Sequence, residues 1–429
     1  MSFYNVGEMG FPENTPLGKI DFDKMLREKI ARAREKMREY GLSALVCVLD
    51  INVGYITNVP PIFPAGIAVG GNRYAVLPID GEPVVFEECN TAFVLKQAMN
   101  NVRVEYSIPG SGGPHLASAE EAQHYLTREW ASQIFSILRE YGLGRERVGI
   151  DVNSPHLVEA LRKSGLDVSP DGGKALLEAR MIKTPEELEC IRALASVIDG
   201  MFATLARSLR AGVTEKEVFA KCVAYAIEHG LTPYGGFIVS GPHTWPKDNS
   251  RPFSGRRIRP GEVVYADFFN FSLNGYKSCY YRTFVVGKAW KELKETNQRV
   301  YEWLKEAEKK VKPGSTTRDV VETWPDESEL WSTKPPFIRT ERDKLSTFWM
   351  NMGHGIGLGL YEPPFFWRPV ALRWPQRIEP NMAIALETLD CTPDGKAGVR
   401  IEDMLIVTES GHEVISKWPA EEITEVPLY

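Results

Sequence analysis

Long apolar runs are missing from this chain. No stretch reaches the roughly 18–20 apolar residues that a membrane helix needs, so no spanning segment is expected. A basic surplus is missing too. Lys and Arg number 51 against 57 Asp and Glu, a net charge of −6, which leaves no electrostatic footprint for nucleic acid. The first residues, Met1-Ser2-Phe3-Tyr4-Asn5-Val6, lack a charged region followed by an apolar one, so secretion is not expected. Cysteine is sparse. Cys47, Cys89, Cys190, Cys222, Cys279 and Cys391 are scattered with no close pair, which places the chain in a reduced cytoplasm with most of its thiols as small buried residues. Histidine is equally scarce, and His115, His124, His156, His229 and His412 stand in polar or turn-like contexts that read as surface or capping positions.

The chain that remains, 429 residues with 43% apolar and 25% charged, is a soluble globular protein too long for one ordinary core. Leu26, Ile30, Ala33 and Met37 recur at helical spacing within residues 21–41. Residues 42–49 read as a buried strand, and 74–79 and 83–86 as two strands joined at Asp80-Gly81. Helices at about 119–141 and 155–164 flank a short strand at 147–151. Strands alternating with helices give an α/β first domain. A boundary shows at Arg180-Met181-Ile182-Lys183-Thr184-Pro185-Glu186-Glu187, where Thr184 can cap a helix, Pro185 suits its first turn and Glu187 completes a capping box. Thr214 with Glu217 repeats the arrangement. Further on, 263–271, 280–286, 383–389 and 399–407 read as strands and 290–311 as a charged amphipathic helix, whereas 325–345 is polar, proline-rich and irregular.

Several residues point to chemistry. Asp267 lies in the apolar run Val264-Tyr265-Ala266-Asp267-Phe268-Phe269, where burying a carboxylate is costly unless it meets a metal, a catalytic role or an ion pair. His354 stands between glycines in Gly353-His354-Gly355-Ile356-Gly357, which allow close backbone approach. Glu387 and Glu402 follow apolar residues in strands, the second within Gly398-Val399-Arg400-Ile401-Glu402-Asp403. Arg400 can pair with a neighbouring carboxylate, and Asp403 can support the ligands from behind. Cys279 sits in Gly275-Tyr276-Lys277-Ser278-Cys279-Tyr280-Tyr281-Arg282-Thr283-Phe284. Aromatic residues cluster nearby: Trp245, Tyr280, Tyr281, Phe365, Phe366, Trp367 and Trp374. They read either as core or as a wall around a cationic or planar substrate.

This order of motifs resembles the creatinase/prolidase/methionine-aminopeptidase superfamily, the pita-bread enzymes. The resemblance implies an α/β (α+β) architecture: a creatinase-like N-terminal domain over residues 1–175 and a pita-bread catalytic domain over 176–429, in a homodimer where one subunit's N-terminal domain rims the other's active site. It also implies five ligand positions, Asp267, Cys279, His354, Glu387 and Glu402. In the family's metallopeptidases an aspartate bridging two metal ions holds the place of Cys279. With that aspartate gone, three carboxylates face four positive charges, so a full dinuclear site is not expected. Either no metal binds, or one divalent ion such as zinc, iron or manganese does. Two other departures accompany it. Tyr361, in Gly359-Leu360-Tyr361-Glu362-Pro363-Pro364, stands where the peptidases carry a histidine, and Asp248 falls near a second family histidine, with His243 five residues before it.

Together these departures favour a non-peptidase that cleaves a C–N or similar bond in a small polar, possibly cationic, molecule. Glu387 and Glu402 would hold the substrate or a single metal, Asp267 and His354 would handle protons, and Tyr361 or Tyr281 would donate a hydrogen bond to developing charge. His243, Trp245, Asp248, Tyr281 and Arg400 are the expected substrate contacts. The alternatives are a metal-dependent Xaa-Pro dipeptidase or aminopeptidase, a β-eliminating lyase similar to the dimethylsulfoniopropionate lyases, and a non-catalytic binding protein.

Overall fold

The computed structural model describes residues 20–59, 73–111, 119–245, 253–325, 340, 342–343 and 351–429. The chain divides into two compact units, Met1–Arg180 and Met181–Tyr429. The division expected after residue 175 would fall inside a helix, Gly172–Met181. Most of the irregular excursion expected at 325–345 lies outside the described residues, as does Asp248.

The first unit is a mixed sheet with helices. Its strands are β1 (Ala44–Cys47), β2 (Tyr74–Pro78), β3 (Val84–Glu87), β4 (Arg103–Tyr106), β5 (Arg147–Ile150) and β6 (Asp167–Ser169). They lie in the order β4-β3-β2-β1-β5-β6. The pairs β1/β2 and β2/β3 are antiparallel and the others parallel. The helices are α1 (Phe22–Glu39), α2 (Asp50–Thr57), α3 (Cys89–Ala98), α4 (Glu120–Glu140), α5 (Pro155–Lys163) and α6 (Gly172–Met181). Trp130, Ile134 and Leu138, spaced by four along α4, pack on Val46, Val76, Phe86 and Val148 of the sheet.

The second unit opens with α7 (Pro185–Ser208) and α8 (Glu215–Glu228). Both start as the sequence predicts. Thr184 Oγ1 accepts from Glu187 N at 3.2 Å while Glu187 Oε2 accepts from Thr184 N at 2.8 Å, and Thr214 and Glu217 do the same. Glu187 also accepts from the Tyr276 hydroxyl at 3.0 Å. Thr184→Ala is therefore expected to lower stability by about 1 kcal/mol in a urea titration, the usual weight of an N-cap side chain.

The strands of this unit are β7 (Thr232–Pro233), β8 (Phe237–Ser240), β9 (Val263–Asp267), β10 (Phe271–Leu273), β11 (Tyr276–Lys277), β12 (Tyr281–Val286), β13 (Asn351–Gly355), β14 (Glu362–Trp367), β15 (Ala383–Cys391), β16 (Gly398–Val407), β17 (His412–Val414) and β18 (Thr424–Val426). They form sheets ordered β11-β10-β7, β18-β12-β9-β8 and β14-β13-β15-β16-β17. Thr283 ties the two larger sheets together: its hydroxyl donates to Arg400 O at 2.8 Å and accepts from Arg400 N at 2.9 Å. Helix α9 (Lys291–Glu308) lays Leu293, Val300 and Leu304 in one core cluster with Ile384 and Leu386 of β15 and Val399, Ile401 and Leu405 of β16. Side chains alternate along a strand, so Glu387 and Arg400 with Glu402 are left for the opposite face. That face is the floor of the candidate site.

Candidate active site

Four strands and one loop deliver the chemistry-bearing residues. Asp267 closes β9, opposite Tyr281 at the start of β12. His354 lies on β13 opposite Ala385, and Glu387 on β15 stands directly opposite Glu402 on β16. Cys279 occupies the turn between β11 and β12. The Ser278 hydroxyl holds that turn by donating to Phe268 O at 2.6 Å and accepting from Phe271 N at 3.2 Å. Two glycines let the neighbouring strands close on either side of the histidine. Gly353 has φ +152°, and a Cβ there would lie 2.6 Å from Ala385 O; a Cβ on Gly355 would run into Pro363 O.

All five residues are buried, from Glu402 at 0% exposed to Glu387 at 9%. They do not form one cluster. Ligand atoms of Cys279, His354 and Glu402 lie within 4.8 Å of one another, and among the described residues no other group of three or more such side chains gathers so tightly. His354 Nδ1 contacts Gly355 O at 3.0 Å, so Nδ1 carries the proton and Nε2 is the acceptor nitrogen of the neutral ring. Burial lowers the histidine pKa, which favours that neutral form. Burial likewise pushes the Cys279 thiol well up, with Glu402, Asp267 and Glu387 adding repulsion. Glu402 is raised by burial first, then by Glu387 and Asp267; the Cys279 thiol and Arg400 only partly offset this. Neither Glu402 oxygen has a partner of good hydrogen-bond geometry among the described residues.

Glu387 belongs to a different group. Its Oε2 accepts from the Tyr281 hydroxyl and lies 3.3 Å from Arg400 Nη2. Arg400 also reaches the Tyr281 oxygen at 3.2 Å, with its guanidinium carbon 4.6 Å from the Tyr281 ring centre. The carboxylate partner expected for Arg400 is therefore Glu387. The Tyr361 ring stands edge-on to His354 with centroids 4.5 Å apart, and 47% of the residue is exposed. Burial of the hydroxyl and the negative groups of the site raise its pKa, keeping it a proton donor at neutral pH.

The remaining substrate contacts fall elsewhere. His243 is exposed in a short turn at Gly241–His243. Trp245 is buried in the cluster that includes Leu389 and Val399, and borders a cavity of about 440 Å³ with Trp290 and Lys396. Of the aromatic residues, Phe366 is core, and Tyr280 turns to Asp199, 2.9 Å from its hydroxyl.

Several supporting residues carry no signal in the sequence. Glu215, the first residue of α8, accepts from the backbone and hydroxyl of both Ser240 and Ser254 at 2.6–3.0 Å, fixing the two stretches that flank residues 246–252. In sequence it looks like an ordinary acid in a first helical turn. Glu362 pairs with Lys183 at 3.4 Å and accepts from Gly359 N at 2.9 Å, which fixes the loop bearing Tyr361. Behind the floor, Arg282 donates to the carbonyls of Tyr281, Trp418 and Glu402 and to Asp403 Oδ1 at 2.6 Å.

Comparison with known proteins identifies the family. The profile of metallopeptidase family M24 matches residues 189–409, just over half of the chain. The chain belongs to metallopeptidase family M24. The creatinase/prolidase N-terminal domain matches residues 29–182. In sequence the chain is 29% identical over 254 residues to the probable dipeptidase PepE of Mycobacterium tuberculosis, covering 59% of this chain and 63% of that one. It is 25% identical over 311 residues to creatinase of a Bacillus species, covering 66% and 69%. The fold superposes on the Xaa-Pro dipeptidase from Bacillus anthracis with a TM-score of 0.70 at 22% identity, over 94% of this chain and all of that one. The superfamily and architecture expected from the motifs are those of this M24 chain. Among the described residues no helix is long and apolar enough to cross a membrane.

Proposed function

We propose that this protein is an amide hydrolase of the dipeptidase type, with Xaa-Pro dipeptides as its substrate class. The reading departs from the non-peptidase expectation because relatives named dipeptidase and Xaa-Pro dipeptidase support it better. The observation that carries it is the buried Cys279, His354 and Glu402 donor set beside a carboxylate held by arginine. The donors suit one divalent ion: a thiol, an imidazole with an acceptor nitrogen, and a carboxylate with no protein partner of good geometry among the described residues. Such an ion, when bound, polarises a carbonyl and lowers the pKa of a water.

The chain's own groups do the rest. Arg400 and the Tyr281 hydroxyl fix Glu387 through Oε2, which leaves Oε1 to take the proton of the attacking water. The Tyr361 hydroxyl, kept protonated, donates to the oxygen on which negative charge develops. The burial of the five residues excludes bulk water and strengthens each of these interactions. All six cysteines are free, which is consistent with a reduced cytoplasmic setting; a homodimer acting on a small substrate completes the reading.

One observation favours a second reading. The position of a bridging aspartate is Cys279, and creatinase is among the relatives. Metal-free cleavage of a C–N bond in a small polar molecule follows from these. Metal content and turnover of a Xaa-Pro dipeptide panel separate the two. The dipeptidase reading expects hydrolysis that a chelator abolishes and a divalent ion restores. Metal-free protein with no activity on any dipeptide would overturn it in favour of the second.

A further inference from the structure

Glu387 and Glu402 face each other across one antiparallel pair, an arrangement that destabilises a sheet unless the charge is offset. The two acids offset it differently. A fixed cation, Arg400, already lies against Glu387 and is itself packed on Tyr281 and on Tyr265, 5.5 Å from the Tyr265 ring centre. Glu402 instead gathers with Cys279 and His354, while Glu387 and Asp267 stay outside that set. In the two-ion arrangement implied by the superfamily, both glutamates are ligands. Here one of them is committed to a guanidinium.

We propose that the site is a one-ion thiolate centre: Cys279, His354 and Glu402 hold a single divalent ion of the zinc or cobalt class, and Arg400 and Tyr281 keep Glu387 outside the ligand set. Three protein ligands with one position open is the pattern of catalytic rather than structural zinc. A thiolate in the set discriminates against hard ions such as magnesium and manganese, which prefer oxygen. On binding, the Sγ–H bond breaks, its proton leaves to solvent, and the sulfur lone pair forms the bond to the ion, so affinity rises with pH. The proposal rests on the hydrolase reading for the ion's purpose, not for its binding.

Stripped protein titrated with cobalt(II), followed in the near ultraviolet and by calorimetry, tests this directly. The expected result is one cobalt per chain with a sulfur-to-cobalt charge-transfer band, displaced by zinc and unaffected by excess magnesium. Cys279→Ser should lose the band and weaken zinc binding by about 100-fold or more, since supporting partners alone contribute 10–100-fold. Glu387→Gln should keep both the band and the single equivalent. Circular dichroism of each variant reports folding, and the wild-type titration decides the matter without them. Two ions per chain, or one without the band, overturns the proposal, as does loss of binding in a folded Glu387→Gln protein. No binding at all overturns it and leaves the metal-free reading. One ion with the band but no turnover of any dipeptide sinks the dipeptidase reading and leaves this proposal standing.

Discussion

Arg282→Met is expected to destabilise the second unit by about 3–5 kcal/mol, the cost of removing one partner from a buried ion pair. Arg282 is 3% exposed and donates to three carbonyls as well as to Asp403. Methionine fills part of the volume but leaves those acceptors and the Asp403 carboxylate without their donor. Asp403 would keep Ser416 at 2.7 Å and Lys305 at 2.9 Å. For a unit of this size about 2–4 °C of midpoint accompanies each kcal/mol, so thermal unfolding should move down by roughly 10 °C. Arg282→Met/Asp403→Leu should regain part of the loss, because replacing both members of a buried pair by apolar groups is better tolerated than replacing one. Independent, additive losses in this cycle would show that the two residues do not act as a pair.

The second large effect concerns pH. Glu308, on α9, is 4% exposed and its pKa is pushed up to about 8. Burial is the main cause, followed by the charge and hydrogen bond of Asp403; Lys305, 2.9 Å away, pulls in the other direction. His412 on β17 faces it at 4.0 Å, and burial keeps that ring neutral. Arg282 and Lys305 outweigh burial at Asp403 and hold it well below the usual carboxylate range. The pair thus keeps one proton, on Glu308, at neutral pH.

An unfolded glutamate loses that proton near pH 4.5. Between there and pH 8 the folded protein holds the extra proton, so stability falls as pH rises through this window and levels off above it. Asp403 acts only below the window, where acidification removes the stability its ionised form contributes. Each tenfold difference in proton affinity between the folded and unfolded chain is worth about 1.4 kcal/mol, so Glu308 contributes a few kcal/mol. Glu308→Gln keeps an amide donor for Asp403 with no proton to lose. Unfolding midpoints measured from about pH 5.5 to about pH 8.5 should decline in the wild type and decline less steeply in the variant, where Glu402, also raised by burial, still titrates. Parallel curves would mean that Glu308 is already ionised in the fold.

What the sequence reveals and conceals here follows physical range. The starts of α7 and α8 are legible because a capping box is complete within four residues. The ligand positions are legible because the motifs that hold them are short and glycine-marked. The partition of those ligands is not. Glu387 and Arg400 are thirteen positions apart and meet only through the β15/β16 register, so no local pattern announces that this carboxylate is taken. Glu308 is hidden for a related reason. On a charged amphipathic helix it resembles its solvated neighbours, and only the placement of Asp403 under α9 turns it inward. Trp245 misleads in the opposite sense: an aromatic beside a candidate substrate loop is, in the fold, packed into core.

The alternation along β16 has an evolutionary corollary. Glu402 serves the cavity and its neighbour Asp403 serves the ion network beneath α9, so adjacent acids do unlike jobs on opposite faces. Loss or gain of one residue within this strand would present each to the other's surroundings and turn Ile401 toward the cavity. Length changes in Gly398–Val407 are therefore closed to drift, whereas the turn after it, where Gly411 has open space around its Cα, can absorb them.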